Sequence, residues 1–123
     1  MNILYTKSAP QPIGPYSQGV EVDGLILLSG QIGLKPDTGE MVQGLEQQTR
    51  QILSNIKGVL ESAGCSFANI VKTTIYIKNI SDFGEFNKIY AEYFKENPPA
   101  RTTVGVSGLP KDALIEIEVI AHR

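Results

Sequence analysis

One arginine stands where an exposed surface charge is not expected, at the start of an apolar strand. In the segment NPPARTTVGV, Arg101 follows Pro98 and Pro99 and opens a predicted strand rich in β-branched residues. A partly enclosed cation needs a partner, because an unpaired buried ion costs several kcal/mol. That partner is either an internal carboxylate, Glu116 or Glu118, or the carboxylate of a ligand, which a guanidinium binds through two parallel hydrogen bonds.

A glutamate inside the last apolar segment is the second candidate for chemistry. Glu116 lies within LIEIEVI, between two isoleucines. Burial there is expected to raise its pKa and to make it a usable proton acceptor or donor. Glu118 falls on the same strand face, so the two carboxylates can titrate as a coupled pair. The alternative is that both glutamates face solvent or bind arginines.

Five further positions with polar or backbone groups stand near the ends of predicted elements. They are Tyr16 in GPYSQG, Ser29 and Gly30 in LSGQIG, Asn87 in the second predicted helix, and Thr103 beside Arg101. Each of them alone is explained most simply by a structural role in a turn, helix or strand. Spacing alone therefore gives only a weak indication of an anion-binding site.

The sequence lacks the residues needed for two common kinds of catalytic centre. The sole histidine, His122, is next to last in the sequence, so a serine or cysteine nucleophile has no evident base. One histidine and one cysteine, Cys65, do not give the ligand spacing of a zinc site. We therefore expect no metal and no cofactor, and chemistry carried by arginine, glutamate, hydroxyl groups, backbone groups and water.

The composition is that of one ordinary domain. The chain has 123 residues, is 41% hydrophobic and 20% charged, and has a formal net charge of -2. This charge does not favour nucleic acid or an anionic membrane as a partner. A single cysteine fits a reducing compartment, and no signal peptide or membrane-length apolar run is found. The expected location is cytoplasmic.

Hydrophobic periodicity predicts an α+β domain, residues 1–123, in the order β-β-α-β-α-β. The first two strands flank the turn Asp23-Gly24, and a short extra strand is suggested near Met41. Helical spacing runs from about Leu45 to Ala63, with Gly64 as the helix-ending glycine. Ser81 or Asp82 is predicted to cap the second helix, and Asp82 with Glu85 to form a capping box. Strands are predicted for 69–78, from 101 onward, and near the C-terminus.

Both predicted helices pack on one face of the sheet, so the other face has no predicted element to cover it. In the last strand Leu114, Glu116, Glu118 and Ile120 share a face that is mixed rather than solvent-like. We infer that this face packs against another subunit in a closed cyclic oligomer. The alternative is a monomer with ordinary apolar atoms on its surface.

Five ordered segments together resemble the RidA family of reactive intermediate and imine deaminases, also called the YjgF group. They are IGPYSQG (13–19), LSGQIG (28–33), VKTTIYIKNISDFGEFNKIYAEYF (71–94), PPARTTV (98–104) and LPKDALIEIEVIA (109–121). The resemblance covers essentially the whole chain. It implies a chorismate-mutase-like (ferredoxin-like) fold with two helices on one face of the sheet, and a homotrimer with three clefts between neighbouring subunits.

The resemblance also implies roles for single residues. The arginine of the P-A-R motif, here Arg101, would bind the substrate carboxylate, and the first glutamate of IEIE, here Glu116, would position or activate a water. Tyr16, Ser29, Gly30 and Asn87 match positions that line or border the cleft. Many members carry a cysteine two residues after the arginine, where this chain has Thr103, which can hydrogen-bond but cannot act as a thiol.

The activity implied is hydrolysis of 2-aminoacrylate or 2-iminobutanoate to a 2-keto acid and ammonia, that of a 2-iminobutanoate/2-iminopropanoate deaminase. The expected partners are then a small imine, enamine or 2-keto acid and further copies of the chain. The alternative is a regulatory or chaperone-like protein that binds small carboxylates without turnover. An endoribonuclease is a weaker reading, because the isoelectric point is near 5.4 and no stripe of aromatic and basic residues is present.

Overall fold

Six strands and two helices make up the computed structural model, which describes residues 1–123. In chain order they are β1 (Asn2–Leu4), β2 (Gly19–Val22), β3 (Leu25–Leu28), α1 (Leu45–Ser62), β4 (Ile70–Ile77), α2 (Phe83–Tyr93), β5 (Ala100–Gly105) and β6 (Ile115–His122). The strands form one mixed sheet in the order β1-β2-β3-β6-β4-β5. All neighbours are antiparallel except β4 and β5, which are parallel and are joined through α2. The α+β class is therefore confirmed.

The extra strand lies at the N-terminus and not near Met41, where it was expected. Met41 forms only an isolated bridge with Leu34, whereas Asn2–Leu4 pairs with β2. Only Leu4 of these three residues is buried. A strand this short, with one buried side chain, has no alternation for a sequence pattern to detect.

Both helices pack on one face of the sheet. That face is built by alternating residues of β4 and β6, among them Ile75, Ile77, Ile115 and Ile117, which are fully buried. Residues of α1 and α2 complete the core; they include Ile52, Ile56, Val59, Phe86 and Tyr90. Neither helix has the length and apolar character needed to cross a membrane.

Turn chemistry places the first hairpin and ends the first helix as predicted. Asp23 and Gly24 both have positive φ, 51° and 82°, as a two-residue hairpin turn requires. Helix α1 ends at Ser62, and Gly64 with φ 73° follows Ala63. The hairpin directs β3 back beside β6, which carries Glu116.

The predicted capping box at the start of α2 is wrong. Asp82 has helical φ and ψ, because it ends the short 3-10 turn Ile80–Asp82, and its side chain makes no cap hydrogen bond. A capping side chain reaches the free backbone N–H groups from an extended conformation, which Asp82 does not adopt.

The second face of the sheet has no helix over it. It carries Lys72, Thr74 and Tyr76 of β4 beside Glu116 and Glu118 of β6, all partly exposed. Regular alternation along β4 would place Val71 on the helix-covered side with Thr73, but Val71 is 50% exposed, because the β4–β6 register shifts between Ile70 and Lys72. In β3 only Ile26 and Leu28 are buried, whereas Leu25 and Leu27 are half-buried on the open side. We call this surface the open face.

Candidate functional site

Arg101 lies on the edge strand β5, on the helix-covered side of the sheet. Its Cα pairs with that of Thr73, whose side chain is fully buried under the helices. One guanidinium nitrogen, Nη1, donates a hydrogen bond to Asn87 Oδ1 at 2.8 Å. The guanidinium carbon lies 5.3 Å from the ring centroid of Phe83 and 4.8 Å from that of Tyr90. About two turns of α2, from Phe83 to Tyr90, therefore position this cation.

The partners of Arg101 are neutral. Neither an aspartate nor a glutamate lies within salt-bridge distance of it. Glu118, one of the two internal partners considered, accepts a hydrogen bond from Tyr76 at 2.6 Å instead. A guanidinium has five N–H donors, and Asn87 occupies one of them. The remaining donors face no anion of this chain.

Tyr90 is the rigid part of the arginine's support. It is 5% exposed, and its hydroxyl shares a 2.8 Å hydrogen bond with the hydroxyl of Thr73. Burial is the main cause that raises the pKa of Tyr90, and the nearby charge of Arg101 opposes that rise. The phenol therefore stays neutral at physiological pH, and its ring presents an electron-rich surface to the cation.

An open hollow lies beside Arg101. It is lined by Ile80, Phe83, Arg101 and Thr103. The hydroxyl oxygen of Thr103 is excluded from solvent and has no hydrogen-bond partner, the one side-chain atom of the chain in that state. An unpaired buried polar atom is unusual in a folded protein and calls for a physical reason.

Glu116 lies elsewhere, on the open face, in a small cavity of about 90 Å³. Tyr16, Gly30, Gln31 and Pro110 also line this cavity. The carboxylate of Glu116 accepts no side-chain or backbone hydrogen bond within the chain, and burial, followed by the charge of Glu118, raises its pKa. A raised pKa makes this carboxylate a better proton acceptor than an exposed glutamate.

Gly30 is needed because Glu116 lies directly against it. A Cβ at residue 30 would stand 2.1 Å from Glu116 Oε2 and 2.8 Å from its Cδ. Any larger side chain would displace the carboxylate. Gly30 and Glu116 thus form one unit, and adjacent Gln31 ties β6 to this loop through two backbone hydrogen bonds with Ile117.

Of the two predicted site residues Tyr16 and Ser29, only Tyr16 lines this cavity. Tyr16 is 50% exposed, and its hydroxyl accepts a long hydrogen bond, 3.4 Å, from the backbone N–H of Ile13. Ser29 does not line the cavity, and its hydroxyl donates to the carbonyl of Ser17 at 2.6 Å. Ser29 therefore holds the Tyr16 segment against β3.

Three supporting residues were not singled out from the sequence as site residues. Phe83 and Tyr90 look like members of an ordinary apolar helix stripe, and only their contact with Arg101 distinguishes them. Gln18 is 2% exposed, and its side chain bonds the backbone of Thr6, Ala9 and Pro10. A glutamine surrounded by glycine and turn residues in YSQG gives no signal of such a role.

The two candidate groups lie on opposite faces of the same sheet. Arg101 pairs with Thr73 on the helix-covered side, whereas Glu116 pairs with Tyr76 on the open face. They also line separate cavities. One copy of the chain therefore does not bring Arg101 and Glu116 to the same small ligand. The structure contains no cluster of three or more histidine, cysteine or acidic side chains that would hold a metal ion.

Known proteins resemble this chain along its whole length. Residues 6–123 match the protein family described as Endoribonuclease L-PSP. The RutC family protein PH0854 of Pyrococcus horikoshii is 51% identical over 122 residues, which are 98% of this chain and 97% of the relative. The human 2-iminobutanoate/2-iminopropanoate deaminase is 48% identical over 120 residues, covering 97% of this chain and 88% of the human protein.

A solved structure extends the likeness to the fold. The crystal structure of E. coli TdcF with bound serine superimposes with a TM-score of 0.96 at 40% identity. It covers 100% of this chain, which in turn covers 99% of TdcF. The order of helices and strands described above is therefore that of a known family.

Proposed function

Because this chain belongs to the RidA/YjgF/RutC family, we propose that it is an imine deaminase acting on small 2-imino and 2-enamino acids. The substrates are of the 2-iminobutanoate or 2-aminoacrylate type, and the products are a 2-keto acid and ammonia. The human relative bears the name of this activity. TdcF, with its bound serine, holds a small amino acid of comparable size and charge.

The observation that carries this proposal is the unneutralised and oriented cation at Arg101. Its hydrogen bond to Asn87 and the Tyr90 ring that lies against its guanidinium carbon restrain the guanidinium. Two of its free donors then match the two oxygens of a carboxylate, and each charge-assisted bond contributes about 1.5–3 kcal/mol. The apolar walls Ile80 and Phe83 suit the short side chain of such an acid.

The chemistry asked of the site is modest, because the carbon of a protonated imine is already electrophilic. A water oxygen bonds to C2 while Glu116 takes one of its protons, which gives a carbinolamine. The C2–N bond then breaks, the nitrogen leaves as ammonia after gaining a proton, and the hydroxyl loses its proton to become the keto oxygen. Arg101 holds the carboxylate throughout, so its part is orientation.

In this proposal the site is shared between two copies of the chain. Arg101, Asn87 and Thr103 come from one copy, and Glu116 with Gly30 and Tyr16 comes from its neighbour. The argument rests on the opposite sheet faces of the two groups and on the mixed open face, which a second copy would cover. A homotrimer, the state that the resemblance implies, repeats this pairing three times around one axis.

The direct test is turnover. A threonine dehydratase supplies 2-iminobutanoate, and the rate of 2-oxobutanoate formation is followed with this protein present at far less than one equivalent. We expect the protein to accelerate the hydrolysis in proportion to its concentration, over many turnovers. A rate equal to that of the uncatalysed reaction at every protein concentration would contradict the proposal.

The second candidate function is binding of a small carboxylate without turnover, as in a regulatory sensor. The bound serine of TdcF favours it, because that ligand has no imine to hydrolyse. The same experiment separates the two functions. A sensor binds 2-oxobutanoate through Arg101 but leaves the rate of imine hydrolysis unchanged.

A further inference from the structure

The unpaired hydroxyl of Thr103 is the feature that the fold does not explain. Replacing a buried polar group by an apolar group of the same shape is nearly neutral or stabilising when the polar group has no partner. The fold thus gains nothing from this oxygen in the free chain. Thr103 lies two residues after Arg101 on the same face of β5, and both residues line the same hollow. The hydroxyl is therefore close to the group that is proposed to bind the ligand carboxylate.

We propose that the Thr103 hydroxyl binds the polar atom on C2 of the ligand and thereby selects 2-imino and 2-keto acids over plain carboxylates. This inference rests on the proposed function in one respect, that Arg101 binds the carboxylate. With that end fixed, C2 is one bond away, and its nitrogen or oxygen lies within the hollow that Thr103 also lines.

The hydroxyl can hydrogen-bond both the substrate and the product. It accepts a hydrogen bond from the N–H of the substrate imine and donates one to the keto oxygen of the product. Because its oxygen is shielded from solvent in the free chain, it meets the ligand after rotation about the Cα–Cβ bond into another staggered position.

The neighbouring residue Thr102 provides a matched control. It lies on the same strand but on the opposite face, where it pairs with Thr74 and its hydroxyl accepts a hydrogen bond from Lys72 at 2.8 Å. Replacement of either threonine by valine removes one hydroxyl and keeps the side-chain shape. Only the change at Thr103 removes the proposed ligand contact.

The experiment compares two stable ligands, 2-oxobutanoate and butanoate, which differ at C2 alone. Their affinities are measured by titration calorimetry for the wild-type chain, Thr103→Val and Thr102→Val. One hydrogen bond corresponds to a roughly 3- to 10-fold preference for 2-oxobutanoate. We expect this preference in the wild type and in Thr102→Val, and its loss in Thr103→Val with butanoate affinity retained.

A melting curve of each ligand-free protein shows whether the Thr103 hydroxyl stabilises the fold. If the hydroxyl serves the ligand, the Tm of Thr103→Val equals or exceeds that of the wild type. A lower Tm, or an unchanged ligand preference in Thr103→Val, overturns the inference. Failure of the wild type to bind either ligand overturns it as well.

Failure of the proposed function has a different signature. In that case imine hydrolysis is absent from the wild type while the preference for 2-oxobutanoate, and its loss in Thr103→Val, persist. The protein would then be a selective binder of 2-keto acids.

Discussion

Arg101 is held by groups that orient a cation without neutralising it. An amide oxygen and two aromatic rings surround it, and each is weaker as a partner than a carboxylate. Its charge is therefore available to an incoming anion. Arginines elsewhere in the chain contrast with it, since Arg50 and Arg123 both form ion pairs with glutamates.

Replacement of Arg101 by alanine is expected to lower kcat/KM for imine hydrolysis by about 10²- to 10⁴-fold, the equivalent of one or two charge-assisted hydrogen bonds. Arg101→Lys keeps the charge but not the planar fork, so we expect it to recover only part of this loss. Steady-state kinetics with size-exclusion chromatography of each variant checks both statements. Arg101→Ala with wild-type kcat/KM would contradict carboxylate binding by this residue.

As the proposed base, Glu116 should make the rate of imine hydrolysis depend on pH in a definite direction. Burial and the charge of Glu118, which is itself hydrogen-bonded by Tyr76, raise the pKa of Glu116 above its ordinary value of 4.5. As a base it must be ionised, so kcat should rise with pH through this raised pKa. We expect Glu116→Gln to lose at least about 10²-fold in kcat, the usual contribution of a general base, with a small change in ligand affinity. An equal loss of affinity would mean that Glu116 only shapes the cavity.

The same pKa shift predicts an effect on stability. A carboxyl whose pKa is raised on folding favours the folded state only when protonated, so its ionisation lowers the free energy of unfolding as pH rises. Glu116→Gln should therefore have a higher Tm than the wild type at pH 7 to 8. The difference should shrink toward zero below about pH 4.5, where the glutamate is protonated in both states. A Tm difference that stays constant with pH would argue against the raised pKa.

At the scale of elements, the contact between the end of β3 and β6 sets the place of the Glu116 carboxylate. We expect Gly30→Ala to lower kcat by about 10-fold or more, because its Cβ would overlap Glu116 Oε2 and move the carboxylate by an ångström or more. Gly84→Ala in α2 is the control, since no atom lies within 4 Å of its Cβ position. It should keep kcat and gain about 0.5–1 kcal/mol of helix stability. Equal kcat in Gly30→Ala and the wild type would refute the role of this contact.

Long helices and strands whose apolar residues repeat with a clear period were predictable from the sequence, and short elements were not. The 18-residue helix α1 carries its apolar residues at helical spacing, and β6 alternates buried and half-buried residues along its length. β1 has three residues, and the shift at Val71 depends on pairing with β6, which is a tertiary property. The capping box at Asp82 failed because the preceding 3-10 turn changes its backbone conformation.

Residue types indicated Arg101 and Glu116 as candidates for chemistry, but not what surrounds them. Arg101 and Glu116 were recognisable because charged residues in apolar segments are unusual. The contact of Tyr90 with Arg101, the hydrogen bonds of Gln18 and the unpaired hydroxyl of Thr103 depend on distances between residues that are not neighbours in the sequence. No local pattern carries that information.

At the scale of the whole molecule, the sheet separates Arg101, the proposed anion-binding group, from Glu116, the proposed base. Arg101 lies under α2, and Glu116 lies on the open face beside Tyr76 and Glu118. The open face combines half-buried leucines of β3 with charged residues of β4 and β6, a mixture that suits contact with another copy. Assembly and activity are therefore linked in this account, and the site is complete only between copies.

Mixing two inactive variants tests this claim most directly. Arg101→Ala and Glu116→Gln chains are unfolded together, refolded at a one-to-one ratio and assayed for imine hydrolysis, with each variant refolded alone as the control. Random assembly of a ring pairs an intact Arg101 with an intact Glu116 of the neighbour at one interface in four, so about a quarter of wild-type activity should return. Activity no higher than that of the separate variants would contradict a site built from two copies.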